Sequence, residues 1–534
     1  MELKHSSVLT RFFPLLACFF PVALLAEPAP SPNDRHVVVV VWDGMRPDLV
    51  TERYSPTLWK LARDGVTFSQ HHSVYLTATN VNGAAMATGV YPNRNSLLAN
   101  REFRPRIDPR NAFENADAVI IKKADEVTGG KYIAAPTIAE TLRAAGRRTA
   151  IAGTKSVAFL HDRHAEWTVA TPKDSVKFAA APMPAAMREE TLSLLGPFLT
   201  KADNTSDQRN TYATRALTEI MWHDGLPAFS LLWLSDPDLT QHEFAPGSEP
   251  ALAAVGSSDR NLALVLDAIA KKNARDSTDV LVVSDHGFST IERAIDFPAE
   301  LRKAGFDATA SFGDTPKRGQ IMIVGNGGSI LFYVIEHDRE VTGRLIEWLQ
   351  RSDFAGVIFA RDKFEGTFPL ETVRADTADA PDVIVALRWN RKPNRFGVPG
   401  QIITDSARGP GQGSHATLSE FDVHNTLIAA GPDFRERLTS SLPSGNIDIA
   451  PTVLRILGVA PPQKFDGRVL AEAMDEKAAR IESLDKTIQA TRQFPSGEWR
   501  QHLRVSLVGE TLYIDEGNGA FSSSTSPSSS SSPR

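Results

Sequence analysis

Two apolar runs, each stopping at an aspartate, constrain this chain more than any other feature. Val37-Val38-Val39-Val40-Val41-Trp42 leads into Asp43-Gly44, and Val280-Leu281-Val282-Val283-Ser284 leads into Asp285-His286-Gly287. Apolar character without period-two alternation marks a strand buried on both faces, and such strands lie in parallel sheets covered by helices on both sides. In these sheets ligands collect beyond the carboxyl ends of the strands. The expected fold is therefore α/β, with a largely parallel central sheet flanked by helices on both faces and carrying insertions.

The rest of the chain supports that alternation. Strands are expected over 36–42, 149–152, 228–234 and 280–284, and helices over 56–64, 135–145, 257–271 and 447–457. Ser55 is the expected N-cap of the helix over 56–64. The stretch 79–88 reads as a turn entering a helix of small residues. Between 291 and 408 the pattern is less regular, with a strand over 329–334 and a helix over 339–349. This region is expected to be an inserted subdomain or part of the sheet edge. The hydrolase-sized body is assigned to 35–475, followed by a peripheral C-terminal extension over 476–521. The serine-rich run 522–534 cannot bury a core and is expected to be disordered.

Chemistry concentrates where the strands stop. Asp238 and His242 lie four residues apart, so on one helical turn their side chains share a face about 5–6 Å apart at Cβ. That spacing suits one Zn²⁺, although solvated Asp/His pairs arise at this spacing by chance. Asp285 and His286 are adjacent at a strand end, where the backbone must turn to aim both at one point, and Gly287 helps it turn. His415 lies in Gly413-Ser414-His415, a loop that can approach a metal or simply sit at the surface. Thr79 is a candidate nucleophile that would need a base or a metal to become an alkoxide. It can equally be a helix cap. Order, spacing and strand context agree for the set as a whole.

The 534-residue chain carries a formal net charge of -6, which argues against a nucleic-acid scaffold but leaves nucleotides open as substrates. Residues 1–26 read as a secretory signal: Lys4 and Arg11 supply the positive start, and residues 12–26 an apolar run too short to span a bilayer comfortably. Cleavage near Ala26 would leave 27–34 as a linker and remove Cys18, the chain's one cysteine. The mature protein would then persist in the periplasm or outside the cell without disulfides, by core packing alone. No stable membrane span is expected after cleavage.

Taken together, these residues resemble the alkaline phosphatase superfamily, and within it the nucleotide pyrophosphatase/phosphodiesterase family, from about Val37 to Ala430. Trp42-Asp43-Gly44 resembles the first metal-ligand motif. Thr79 with Asn82 and then Thr88-Gly89-Val90-Tyr91-Pro92 is similar to the nucleophile motif. Pro237-Asp238 with His242, Ser284-Asp285-His286-Gly287 and Gly413-Ser414-His415 resemble the remaining ligand motifs. The resemblance implies an alkaline phosphatase-like fold and two Zn²⁺, one held by Asp238, His242 and His415. The other would be held by Asp43, Asp285 and His286, with Thr79 bound to it. It further implies that Asn100 donates to a phosphoryl oxygen, and that phosphate esters, including nucleotides, are hydrolysed through a phospho-threonine.

The chain departs from the pattern beside the site. Asn80-Val81-Asn82 stands where the family commonly has Phe-Pro-Asn, and Ala416-Thr417 follows His415 where Gly-Tyr is usual. Lys155 falls near the Lys-x-Arg pair of a related threonine-dependent phosphomonoesterase group, with Val157 in the arginine's place. A monoester carries one more negative charge than a diester, so the missing cation favours the diester, with Lys155 either a phosphate contact or an ordinary surface lysine. Phosphomonoester or phosphonate hydrolysis is the competing activity, and a binding protein without turnover the competing class. The stretch 101–131 is a candidate substrate-facing insertion.

Overall fold

The computed structural model describes residues 34–163, 177–181, 185–474 and 481–524. The signal assigned to 1–26, the linker but for Asp34, and the serine-rich run from 525 onward lie outside them; Ser522 and Ser523, expected to be disordered, instead end a strand by pairing with Glu498 and Gly497.

Eight strands build the main sheet. They are β1 (His36–Trp42), β2 (Val66–Phe68), β3 (Thr149–Gly153), β4 (Lys177–Ala181), β5 (Phe229–Leu234), β6 (Thr278–Val283), β7 (Leu427–Ala430) and β8 (Leu438–Ser440). Their order across the sheet is β8-β2-β7-β6-β1-β5-β3-β4. The centre, β6-β1-β5-β3, is wholly parallel, with Val39 opposite Leu231 on one side and Leu281 on the other. Antiparallel β7 and β4 flank it, so the sheet is mixed at its margins and parallel where the site forms.

The valine run of β1 is buried throughout because each face has its own helical layer. Val37, Val39 and Val41 pack in one cluster with Ala84, Met86 and Val453. Val38, Val40 and Trp42 pack on the other face with Val255, Leu262 and Val265. Alternate side chains of a strand point to opposite faces, so an unbroken apolar run is what two covering layers require.

Three helices matter for the site: α1 (Thr79–Thr88), α2 (Asp238–Phe244) and α3 (Glu249–Lys271). The helix Pro56–Asp64 forms as expected, but Ser55 does not cap it with its side chain. Its first amides are met by a more distant carboxylate: Thr57 and Leu58 N–H donate to Asp259 of α3 at 3.0 and 2.8 Å. The Ser55 hydroxyl donates instead to the Thr51 carbonyl.

The irregular stretch after 291 contributes every strand of a second, six-stranded sheet, which includes Ile321–Gly325, Ser329–Val334, Ala355–Ala360 and Val383–Leu387. The helix Arg339–Gln350 packs its Leu345, Ile346 and Leu349 against that sheet.

The segment after Asp475 is not peripheral. Ser483–Phe494, Gly497–Val508 and Thr511–Ser523 form a three-stranded antiparallel sheet. Its Trp499 is fully buried and donates its indole N–H to Gly366 O at 2.9 Å, and Gln501 bonds the Ile358 backbone in both directions. The sequence reads this segment as a peripheral extension, because the partners of these anchors lie more than a hundred residues away.

Candidate active site

The carboxyl ends of β6, β1 and β5 lie side by side, and each delivers an acid. Asp43 follows β1, Asp285 follows β6 by one residue, and Asp238 opens α2 just beyond β5. Backbone bonds lock the three ends together. Asp238 N–H donates to Asp43 O at 2.9 Å, and Gly44 N–H donates to Asp285 Oδ1 at 3.0 Å. Gly44 has φ of +69°, and a Cβ there would lie 2.9 Å from Asp238 Cβ, so this close approach requires glycine. Gly287 is required for a different reason: a Cβ would fall 2.1 Å from Phe421 O.

Three histidines converge on the same point, each fixed through its far nitrogen. His242 Nδ1 lies 2.9 Å from Gly413 O, His286 Nδ1 2.8 Å from Gly287 O, and His415 Nδ1 2.9 Å from Thr77 O. A carbonyl only accepts, so every Nδ1 is the donor and, in the neutral ring, every Nε2 presents a lone pair. Burial and the neighbouring His286 hold the His415 imidazole well below its ordinary range, so it is neutral. His242 Nε2 lies 3.3 Å and His415 Nε2 3.6 Å from Asp238 Oδ1, while His286 Nε2 lies 3.2 Å from Asp285 Oδ2.

These are acceptors facing acceptors. Asp238 Oδ1 and Asp285 Oδ2 are buried and have no hydrogen-bond partner among the described residues. Burying such oxygens is costly unless positive charge meets them. Two overlapping triads, Asp43/Asp285/His286 and Asp238/His286/His415, each bring their ligand atoms within 4.8 Å of one another. Imidazole nitrogen with carboxylate oxygen is a donor set that suits Zn²⁺, and tying the far imidazole nitrogen to a carbonyl is how proteins orient such ligands. The residues present thus fit divalent cations.

Lys155 is not a surface lysine. Its ammonium lies 2.8 Å from Asp43 Oδ1 and 2.5 Å from Asp238 Oδ2. Burial pushes this ammonium down, but Asp238 and Asp43 push it further up, and it stays charged. Burial and the Asp285 carboxylate push Asp43 well above the usual range. Burial acts the same way on Asp238, but Lys155 and His242 outweigh it and hold Asp238 well below. Val157 is buried; a Cβ on Gly83 of α1 would lie 2.3 Å from its Cγ2, so it serves packing at the place of the missing cation.

Thr79 is the first residue of α1, not its cap, and that position is taken by Ala78. Its Oγ1 lies 3.2 Å from His286 Nε2. Asn100 is drawn to the same helix end: its Oδ1 accepts from Asn80 N–H at 2.7 Å, which leaves its NH₂ as the donating end.

Two supporting residues, Trp233 and Asn446, escape a reading of the sequence, and one of them fixes Asn82 of the nucleophile-like motif. Trp233 looks like any core residue of β5, yet its indole N–H donates to Asp43 Oδ2 at 2.7 Å. Asn82 receives a bond from Asn446 and binds the backbone of Val74, Leu76 and Ala78, which fixes the entry to α1. Asn446 also donates to Asp285 O at 2.6 Å, joining the Thr79 helix to a metal-ligand candidate. Asn82 stood in the nucleophile-like motif, but nothing in the sequence marked Trp233 or Asn446.

Comparison with known proteins agrees with this geometry. The profile of the type I phosphodiesterase / nucleotide pyrophosphatase family matches residues 37–391. A bis(5'-adenosyl)-triphosphatase of Xenopus laevis is 22% identical over 47% of each chain. A venom phosphodiesterase of Naja atra is 20% identical over 48% of this chain and 26% of its own. The alignments thus span about half or less of these relatives. Murine ectonucleotide pyrophosphatase/phosphodiesterase 5, solved as an inactive threonine-to-alanine variant with AMP, shares the fold with a TM-score of 0.54 and 16% identity, covering 80% of this chain and 96% of its own. With the match extending over two thirds of its length and across most of the converging site, this chain belongs to the type I phosphodiesterase / nucleotide pyrophosphatase family.

Proposed function

We propose that this protein is an exported, two-zinc phosphodiesterase or nucleotide pyrophosphatase that works through a phospho-threonine. The observation that carries the proposal is Thr79 Oγ1 at the head of α1, 3.2 Å from His286 Nε2 and beside three converging carboxylates. The relatives' activities toward phosphodiesters and dinucleoside phosphates, and the AMP held by the structural neighbour, support a nucleotide-like substrate. Export rests on the composition of 1–26.

Asp238, His242 and His415 would hold one Zn²⁺, and Asp43, Asp285 and His286 the other. Bound there, the cations would lower the pKa of the Thr79 hydroxyl and offset charge on the reacting oxygens. Thr79 Oγ attacks phosphorus in line, the bond to the leaving oxygen breaks, and the phosphoryl group remains on Thr79. Water then attacks phosphorus and the Thr79 O–P bond breaks, restoring the hydroxyl. The Asn100 amide, held by Asn80 N–H, donates to a non-bridging oxygen where transition-state charge develops. Trp233 keeps Asp43 in one orientation throughout. The Lys155 ammonium contributes positive charge at the edge of the site.

Diesters are favoured over monoesters for a specific reason. The Lys155 ammonium is already engaged by two carboxylates, and Val157 is committed to packing on α1. The test is kcat/KM for bis-p-nitrophenyl phosphate against p-nitrophenyl phosphate with zinc-loaded protein. A strong preference for the diester is expected. A strong preference for the monoester overturns the assignment and makes the protein a phosphomonoesterase.

A further inference from the structure

Away from the catalytic residues, His72, His424 and Asp515 bring ligand atoms within 4.8 Å of one another. Three separate segments supply them. Two backbone devices aim them. His72 and His424 face each other in an isolated antiparallel bridge, which places directly opposed side chains on one face. Their rings are 4.4 Å apart. Asp515 is the extra residue of a β-bulge: Arg504 pairs with Glu516 and Val505 with Ile514, and Asp515 is left between them. Bulges re-aim a side chain out of the regular alternation, and this one turns Asp515 toward His72.

His72 faces an acceptor oxygen at each ring nitrogen. Its Nδ1 lies 2.9 Å from Ser444 O, an acceptor, so Nδ1 is the donor. In the neutral ring Nε2 then carries a lone pair, yet it faces Asp515 Oδ1 at 3.1 Å. The adjacent His71 shows what a satisfied imidazole looks like here. Its two nitrogens meet Ser444 Oγ and Asn446 Oδ1, one able to donate and the other to accept. His424 brings a second imidazole to the same carboxylate, its ligand atom within 4.8 Å of those of His72 and Asp515. Ser506 Oγ donates to Asp515 Oδ2 at 2.9 Å, orienting the carboxylate as outer partners of a ligand do.

We infer that His72, His424 and Asp515 form a third divalent-cation site, of zinc type, which clamps the C-terminal sheet to the catalytic body. Two imidazoles and a carboxylate match the donors Zn²⁺ takes. The clamp joins the strand after β2 and the connection carrying His415 to the Asp515 bulge. It does not depend on what the active site hydrolyses.

The experiment is zinc stoichiometry by mass spectrometry on the full-length protein, stripped and reloaded by dialysis, for wild type, His424→Gln and Asp515→Asn. Wild type is expected to hold one equivalent more than either variant, with hydrolysis of bis-p-nitrophenyl phosphate unchanged in both. Zinc should also raise the melting temperature of wild type further than that of the variants. Equal zinc in all three overturns the site. So does an Asp515→Asn protein that loses stability but no metal, since that is the behaviour of an ion pair.

Discussion

Thr79 Oγ1 and His286 Nε2 lie 3.2 Å apart although 207 positions separate them in the chain. The contact forms because the head of α1 and the carboxyl end of β6 meet at one point. It fixes the surroundings of the hydroxyl: Thr79 starts a buried helix, lies next to an imidazole nitrogen and is not the helix cap. Thr79→Ala is expected to lower kcat on a diester by roughly 10⁴-fold or more, as loss of a nucleophile does. Zinc content and melting temperature should stay near wild type. Turnover at the wild-type rate would refute the assignment.

Trp233→Phe isolates one hydrogen bond. The ring still fills its place in β5, but Asp43 Oδ2 loses its donor. Removing an outer partner of this kind costs about 10–100-fold in metal affinity or activity. Zinc titration against a competing chelator, alongside kcat/KM, measures it; unchanged values in both would show that Trp233 only packs.

Lys155 balances the buried acids when cations are removed. In the chelated protein, Lys155→Met leaves Asp43, Asp238 and Asp285 facing one another, at a cost of about 3 kcal/mol, the scale for breaking a buried ion pair. Reloading zinc supplies the missing positive charge. The melting temperature should therefore fall much more in EDTA than in zinc. An equal fall in both would place the role of Lys155 elsewhere.

Asp279 gives the fold a pH dependence. Burial and then the Asp433 carboxylate push it up to about 8, against the bond it accepts from Asp433 N–H. Unfolded, the group titrates near 3.9. The native state thus holds a proton that the unfolded state releases, so this stabilising contribution is full below about pH 4 and is lost as pH rises through about 8. Asp279→Asn mimics the neutral carboxyl. Its melting temperature should vary less than that of wild type between pH 6 and 9, and should exceed it at pH 9. Parallel curves would exclude Asp279 as the source.

Much of this protein was legible in its sequence. The unbroken valine run of β1 demanded two covering layers, and the structure supplies both. Asp43, Asp238, His242, Asp285, His286 and His415 were readable because strand ends and helical spacing are local properties. Thr79 stood out through the motif around it and Asn100 through its distance from Thr79 in the resemblance; that Asn100 meets the head of α1 is a contact of the folded chain. What the sequence could not give were contacts whose partners lie far along the chain. Asp259 caps a helix where Ser55 was expected, because a carboxylate from α3 reaches its first amides. The segment after Asp475 reads as a peripheral extension, yet Trp499 buries itself under Gly366. Lys155 becomes part of the site only because β3 ends next to Asp43 and Asp238. Periodicity records which face of an element is apolar. Which polar groups meet across elements is decided by sheet order and register, and those arise only when the chain has folded.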